Sequence, residues 1–226
     1  MKYRCLVLDH DDTAVKSTPE LHYPSFQIIM KELRPEHKPY TLAEFTRKCF
    51  DPGFTEFCMG ELGFTEQEMQ REYEIWKDYI HDKTPDFYDG FLDLVRRFQN
   101  EGGFLCVVSH SEKSEIERHY REHGIHLDLV YGWELPSEKR KPHPYPMLQI
   151  LEKLSLAPED CLIVDDLRLG YDMAKACGVE FAAAGWSHGL LPEVEAFMRA
   201  HADYYFKTVK ELSDFVFGSQ ESGNQG

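Results

Sequence analysis

The 226-residue sequence has no long apolar run and no long basic run. It contains no stretch of 18 apolar residues, which excludes a membrane-spanning helix and predicts a protein with no membrane partner. The longest basic run is the three residues from Lys139 to Lys141, and the formal net charge is −15. Because a nucleic-acid-binding surface needs an excess of positive charge, we expect no nucleic-acid partner.

Cysteine pairs and a targeting segment are also missing. The six cysteines (positions 5, 49, 58, 106, 161 and 177) form no CxxC pair, which argues against a zinc site and against a disulfide framework. Several lie inside apolar runs, as reduced thiols of a cytosolic protein do. The N-terminal segment turns acidic too early for a signal peptide, so we expect a cytoplasmic location.

The apolar content is sufficient for a large core, because hydrophobic residues make up 42% of the chain and 15 Phe and 12 Tyr are among them. Four short apolar runs, at residues 3–8, 104–108, 161–164 and 181–184, have the uniform character of strands covered on both faces. Amphipathic helix patterns alternate with these runs from about residue 87 onward. This alternation predicts an α/β fold with a doubly wound parallel sheet.

One segment interrupts the alternation directly after the first strand. Residues 15–84 have no clear strand signal, and helix-period patterns recur there, such as Met69, Tyr73, Trp76 and Ile80. We therefore predict a core of residues 1–14 and 85–218 with an inserted helical unit at 15–84, followed by a disordered tail at 219–226. The alternative is one continuous α/β domain in which this segment is a long connection between strands.

Polar residues that can carry chemistry follow the ends of the predicted strands, where open α/β sheets bind ligands. They are Asp9-His10-Asp11-Asp12-Thr13, Ser109-His110-Ser111, Lys141 and the pair Asp165-Asp166. Carboxylates that converge in one cleft repel each other by roughly 4 kcal/mol per pair at ~4 Å, so they need a counter-charge. Carboxylate oxygens suit Mg²⁺, and Lys141 adds a second positive charge. A magnesium ion, an ammonium and a hydroxyl together form a receptor for a phosphate dianion, beside which a carboxylate can act as nucleophile.

In this order the motifs resemble those of the haloacid dehalogenase superfamily. Asp9 to Thr13 match DxDx[TV], Ser109 matches the strand-end Ser/Thr, Lys141 matches the lysine motif, and Asp165-Asp166 match the acidic motif. The resemblance runs from about residue 3 to 216 and is strongest to the branch with a helical cap after the first strand, which includes phosphoglycolate phosphatases and β-phosphoglucomutases. It implies a Rossmann-like core and a cap at 15–84.

The resemblance also implies a role for each motif residue. Asp9 is the nucleophile that forms an aspartyl-phosphate, and Asp11 is the general acid and base. The residues assigned to the phosphate are Ser109, Lys141, His110 through its backbone amide, and Thr13, whose hydroxyl orients the loop. The residues assigned to Mg²⁺ are Asp9, Asp11 through its carbonyl, Asp165 and Asp166, with the direct ligand among the last two left open.

These roles favour a Mg²⁺-dependent phosphomonoester hydrolase that acts on a small phosphorylated metabolite. A sugar phosphomutase of the same family is the nearest alternative, and a catalytically silent binding protein with this fold is another. A dehalogenase is disfavoured, because those enzymes do not keep the second aspartate that Asp11 provides.

Within the insertion, Arg47 and Lys48 precede a loop-like break and are candidate substrate-binding residues. A solvated helix end is the alternative interpretation of this pair. The resemblance also places a proton-transferring histidine of the phosphomutases near the start of the cap. His22 is one residue away from that position, so a surface or packing role is favoured. For Asp172 we expect the role of a helix residue.

Overall fold

The computed structural model describes residues 1–218, which divide into two compact units. Unit 1 contains Met1–Val15 and the chain from Phe87 onward, and unit 2 contains Lys16–Asp86. The tail at 219–226, for which the sequence predicts disorder, lies outside the described residues.

Unit 1 is built on a six-stranded parallel sheet with the strand order β3-β2-β1-β4-β5-β6. The strands are β1 (Cys5–Leu8), β2 (Phe104–Val108), β3 (Leu129–Tyr131), β4 (Cys161–Asp165), β5 (Glu180–Ala184) and β6 (Tyr204–Phe206). This order is that of a doubly wound sheet and confirms the predicted fold class. The four apolar runs all form strands, and the two strands that the sequence did not predict are three residues long and lie at the sheet edges.

Ten α-helices account for much of the rest of the described chain. In unit 2 they are α1 (Tyr23–Leu33), α2 (Leu42–Lys48), α3 (Phe54–Glu56) and α4 (Glu66–Ile80), and in unit 1 they are α5 (Phe91–Asn100), α6 (Lys113–Glu122), α7 (Tyr145–Leu154), α8 (Arg168–Cys177), α9 (Pro192–His201) and α10 (Val209–Phe217). Among residues 1–218, no helix combines the length and the apolar character that a membrane crossing requires. All six cysteines lie among the described residues, and none of them forms a disulfide.

The register of the central strands places their carboxyl ends at one level. Leu8 at the end of β1 pairs with Val107 of β2 on one side and with Val164 of β4 on the other. The residues that follow these positions therefore leave the sheet side by side.

Unit 2 has an apolar core of its own, in which Phe26 and Phe45 pack with ring centroids 4.7 Å apart. Helix α4 begins with a capping box, in which the side chains of Thr65 and Glu68 each accept a hydrogen bond from the other residue's backbone N–H. The first turn of the longest helix in the unit is thereby closed by local hydrogen bonds.

The buried face of α4 differs from the predicted stripe by one residue. Glu72 is only 8% exposed, whereas Tyr73 is 36% exposed and accepts a hydrogen bond from Lys77 Nζ through its hydroxyl (3.2 Å). The amphipathic tyrosine keeps its polar end outside, so counting it as apolar shifted the predicted face. Burial raises the pKa of Glu72 to about 7, although the nearby His22 acts in the opposite direction.

We predict that Glu72→Gln stabilises the protein at alkaline pH. The folded-state pKa of Glu72 lies above the unfolded value of about 4.3, so the stability contributed by the protonated carboxyl is complete below pH ~4 and is lost as the pH rises through 7. Between pH 5 and pH 8 the free energy of unfolding of the variant should rise relative to wild type by up to roughly 3 kcal/mol. Urea unfolding at several pH values measures this difference. Glu74→Gln, on the same helix with a half-exposed side chain, is the control, and an equal pH response of both variants contradicts the prediction.

Candidate active site

The sequence-predicted core residues lie at the carboxyl edge of the sheet in unit 1. Asp9 follows β1, Ser109 follows β2, and Asp165 is the last residue of β4. Lys141 reaches the same edge from the loop before α7, and Asp166 follows Asp165 directly. All five side chains are buried.

The ammonium of Lys141 joins the first and fourth strands. Its Nζ donates hydrogen bonds to Asp9 Oδ1 (2.6 Å) and to Asp165 Oδ2 (2.7 Å). Burial alone would lower the pKa of Lys141, but the charges of Asp165 and Asp9 outweigh this effect and raise it. The lysine is therefore a permanent cation between two carboxylates.

Three carboxylates form a compact cluster around this contact. Asp9, Asp165 and Asp166 each contribute one oxygen to a group in which all atoms lie within 4.8 Å of one another. Burial raises the pKa of Asp166 well above its usual range, and the negative charges of Asp165 and Asp9 raise it further. When all three carboxyl groups are ionised, they and the ammonium carry a formal charge of −2, and oxygen donors of this kind suit a divalent cation. The residues therefore fit a metal ion.

Asp166 is held in place by residues from two other segments. The hydroxyl of Thr13 donates to Asp166 Oδ1 (3.2 Å), and Trp186 Nε1 donates to the Thr13 carbonyl (3.1 Å). The Asp166 carbonyl accepts a hydrogen bond from His188 Nε2 (2.7 Å). Burial lowers the pKa of His188, so this imidazole is neutral and accepts through Nδ1 from the hydroxyl of Tyr205 (3.3 Å).

The second aspartate of the DxD motif contacts the loop after β2. Asp11 Oδ2 accepts a hydrogen bond from the Ser111 hydroxyl, and the backbone N–H of Ser111 donates to Ser109 Oγ (3.2 Å). Ser111 thus connects the predicted acid and base with the predicted phosphate-binding serine. The sequence motifs assign no role to Ser111.

The side chain of His110 contacts the loop that contains Lys141. Its Nε2 donates to the carbonyl of Lys141 (3.0 Å). Burial and the adjacent Lys141 charge lower the pKa of His110, so the imidazole is neutral. The family resemblance implies a role only for the backbone amide of this residue.

His10 points away from the carboxylates, as the alternation along β1 predicts. It is buried, and its Nε2 lies 3.0 Å from His119 Nδ1 on α6. Arg118 donates to His119 Nε2 (3.1 Å), so in a neutral His119 the proton lies on Nδ1 and is donated to His10.

A glycine allows α8 to approach the acidic pair. An added Cβ at Gly170 would lie 2.2 Å from Asp165 Oδ2, so any larger residue would displace this carboxylate. The spacing of glycine after Asp165-Asp166 is the sequence signal that could have identified it. For His188 and Trp186 no local pattern offers such a signal.

The remaining candidates belong to other helices and segments of the chain. Arg47 and Lys48 end α2 in unit 2, where Arg47 is exposed and Lys48 forms an ion pair with Glu61. His22, also in unit 2, accepts a hydrogen bond from Trp76 Nε1 (3.1 Å) through Nδ1. Asp172 lies on α8 and pairs with Arg168 on the surface (3.3 Å).

Known proteins share this sequence pattern and fold. The chain is 26% identical over 159 residues to the putative pyrophosphatase PpaX of Caldanaerobacter subterraneus subsp. tengcongensis, a match that covers 70% of each chain. It is 24% identical over 195 residues to the pyrophosphatase PpaX of Bacillus cereus, covering 83% of this chain and 85% of that one. The structure of a putative phosphoglycolate phosphatase from Lactobacillus plantarum matches with a TM-score of 0.71 at 25% identity, covering 94% of this chain and 98% of that one.

The family model for haloacid dehalogenase-like hydrolases matches residues 6–184, which run from within β1 past the acidic pair at the end of β4. With more than half of the chain matched and the motif residues gathered at one sheet edge, this chain belongs to the haloacid dehalogenase-like hydrolase family.

Proposed function

We propose that this chain is a Mg²⁺-dependent phosphomonoester hydrolase that acts on a small phosphorylated metabolite through an aspartyl-phosphate on Asp9. The observation that carries the proposal is the position of the Asp9 carboxylate, which contacts the Lys141 ammonium through one oxygen and belongs to the acidic cluster. A nucleophilic carboxylate needs such a site, where positive charge can neutralise an incoming phosphate dianion.

The relatives support this reaction class by their names, pyrophosphatase and phosphoglycolate phosphatase. Both names denote enzymes that hydrolyse a bond to phosphorus. The names support a small phosphorylated compound as the class of substrate. Assays on a panel of phosphorylated metabolites would identify the leaving group.

In the proposed reaction, an Asp9 carboxylate oxygen attacks phosphorus as the bond from phosphorus to the ester oxygen breaks. Asp11 gives its proton to that ester oxygen, which leaves as an alcohol, and becomes a carboxylate. In the second half, Asp11 takes a proton from water while the water oxygen attacks phosphorus. Phosphate leaves, Asp9 is regenerated, and one water has been consumed.

The other polar groups would hold the transferred phosphoryl group. Lys141 and the Ser109 hydroxyl supply a charge and a donor, and the backbone amide of His110 supplies a second donor. Thr13 acts indirectly, because its hydroxyl donates to Asp166. A divalent ion would be held by Asp9, Asp165 and Asp166, with the carbonyl of Asp11, and would neutralise charge on the phosphoryl oxygens.

We predict that Asp9→Asn abolishes turnover of p-nitrophenyl phosphate. The substitution keeps the shape of the side chain and removes the anionic nucleophile, so kcat should fall by several orders of magnitude. Steady-state kinetics measures the loss, and Asp93→Asn on the exposed face of α5 should retain wild-type activity. A drop in kcat of only tenfold, equivalent to ~1.4 kcal/mol in the activation free energy, would contradict the covalent mechanism.

We also predict that beryllium fluoride, a phosphoryl mimic, stabilises the protein only when Mg²⁺ is present. Binding to the folded state at about 100 times Kd adds ~2.7 kcal/mol, or a rise in Tm of roughly 5–10 °C for a chain of this size. Thermal unfolding with Mg²⁺ and after exhaustive chelation tests this. Asp166→Asn should remove the metal-dependent shift, and equal stabilisation in chelator argues against the metal site.

Finally, we propose that Arg47 and Lys48 of unit 2 contribute to substrate selection. Replacing either by Ala should change kcat/KM unequally across a panel of phosphorylated metabolites, while p-nitrophenyl phosphate turnover stays largely unchanged. The reason is that the unit 1 residues recognise the phosphate, which every substrate shares. Unchanged kcat/KM for the whole panel would instead assign the pair to a solvated helix end, consistent with the Lys48–Glu61 ion pair.

A further inference from the structure

Ser111 occupies a position between two groups that the proposed reaction uses. Its hydroxyl donates to Asp11 Oδ2, and its backbone N–H donates to Ser109 Oγ (3.2 Å). Asp11 and Ser111 are 100 residues apart in sequence, so the contact exists only in the folded sheet. One residue therefore contacts both the proposed acid and base and the proposed phosphate-binding hydroxyl.

The backbone of Ser111 is fixed by the loop that follows β3. Its carbonyl accepts a hydrogen bond from the backbone N–H of Trp133 (2.9 Å). Gly132 packs so closely that an added Cβ would lie 2.6 Å from the same carbonyl oxygen and 2.8 Å from the Lys113 nitrogen. These two contacts hold the backbone of Ser111 in place, next to Asp11 with which its hydroxyl is hydrogen-bonded.

We propose that Ser111 is a positioning residue that orients the Asp11 carboxyl for proton transfer. Its hydroxyl donates to Oδ2 and so restricts the rotation of the carboxyl group. The proposal rests on the proposed function, and it adds a residue to which no role was given by the motifs.

The step that Ser111 assists is the transfer of a proton from Asp11 to the leaving oxygen as the bond from that oxygen to phosphorus breaks. A weakly basic leaving group such as p-nitrophenolate departs without the proton, whereas an alkoxide needs it. A defect in the orientation of Asp11 must therefore grow with the basicity of the leaving group. A defect in phosphate binding or in folding affects all leaving groups alike.

The test uses p-nitrophenyl, phenyl and benzyl phosphate, three monoesters of similar size whose leaving groups increase in basicity. Reference values of kcat/KM, which report the first half-reaction, come from wild type and Asp11→Asn. We expect Ser111→Ala to lower kcat/KM for benzyl phosphate about tenfold or more, and for p-nitrophenyl phosphate less than about twofold. In the Asp11→Asn background, Ser111→Ala should have no further effect, since it acts through Asp11.

Matched variants separate the hydroxyl from changes in packing. Ser111→Thr keeps the hydroxyl, and Ser111→Val replaces it with a side chain of the same shape as threonine but without the hydroxyl. Of these two, only the valine variant should show a loss of kcat/KM that grows with the basicity of the leaving group. Ser114→Ala, at an exposed position on α6, should behave like wild type. Should Ser111→Ala unfold the protein, the comparison of threonine with valine still decides the matter.

Two results would overturn the inference. One is an equal loss of kcat/KM for all three esters in the valine or alanine variant, and the other is no loss for any of them. If Asp11→Asn itself affects the three esters equally, the proposed role of Asp11 fails as well. A selective loss in Asp11→Asn together with no selective loss in Ser111→Val leaves the proposed function intact and removes Ser111 from it.

Discussion

The contact of the Lys141 ammonium with Asp9 and Asp165 is the interaction on which the rest of the candidate site depends. Three carboxylates lie together in a buried position, and each unscreened pair would cost about 4 kcal/mol at 4 Å in an effective dielectric near 20. The lysine offsets part of this repulsion while leaving the excess negative charge that a divalent cation can neutralise. The sheet order makes the contact possible, because β1 and β4 are neighbours although more than 150 residues separate them.

Neutral histidines support this charged centre without adding charge to it. His110 donates to the carbonyl of Lys141, and His188 donates to the carbonyl of Asp166. Burial lowers the pKa of both imidazoles, so each acts as a neutral hydrogen-bond donor to the backbone beside a charged side chain. A protonated imidazole at either position would change the balance of charge in the cluster.

The helical insertion leaves the strand framework of unit 1 undisturbed. Val15 and Phe87, the residues of unit 1 on either side of the insertion, form an isolated bridge, and the Tyr88 N–H donates to the Ala14 carbonyl (3.0 Å). Within unit 2, the first and last residues are likewise close, since the Lys16 N–H donates to the Asp86 carbonyl (2.9 Å). Because these hydrogen bonds keep the two ends of the insertion close together, the strands of unit 1 need no change to accommodate it, and unit 2 builds an apolar core of its own.

The sequence by itself determined the four central strands, the doubly wound class and the motif residues at the strand ends, because uniform apolar runs and strand-end chemistry are local signals. It missed β3 and β6, which are too short to show a pattern, and it placed Tyr73 rather than Glu72 on the buried face of α4. Only the tertiary structure decided which groups hold the motif residues in place. The contacts of Ser111 with Asp11 and of Trp186 with Thr13 join residues 100 or more positions apart. Such contacts depend on strand order and loop packing, and no periodicity along the chain encodes them.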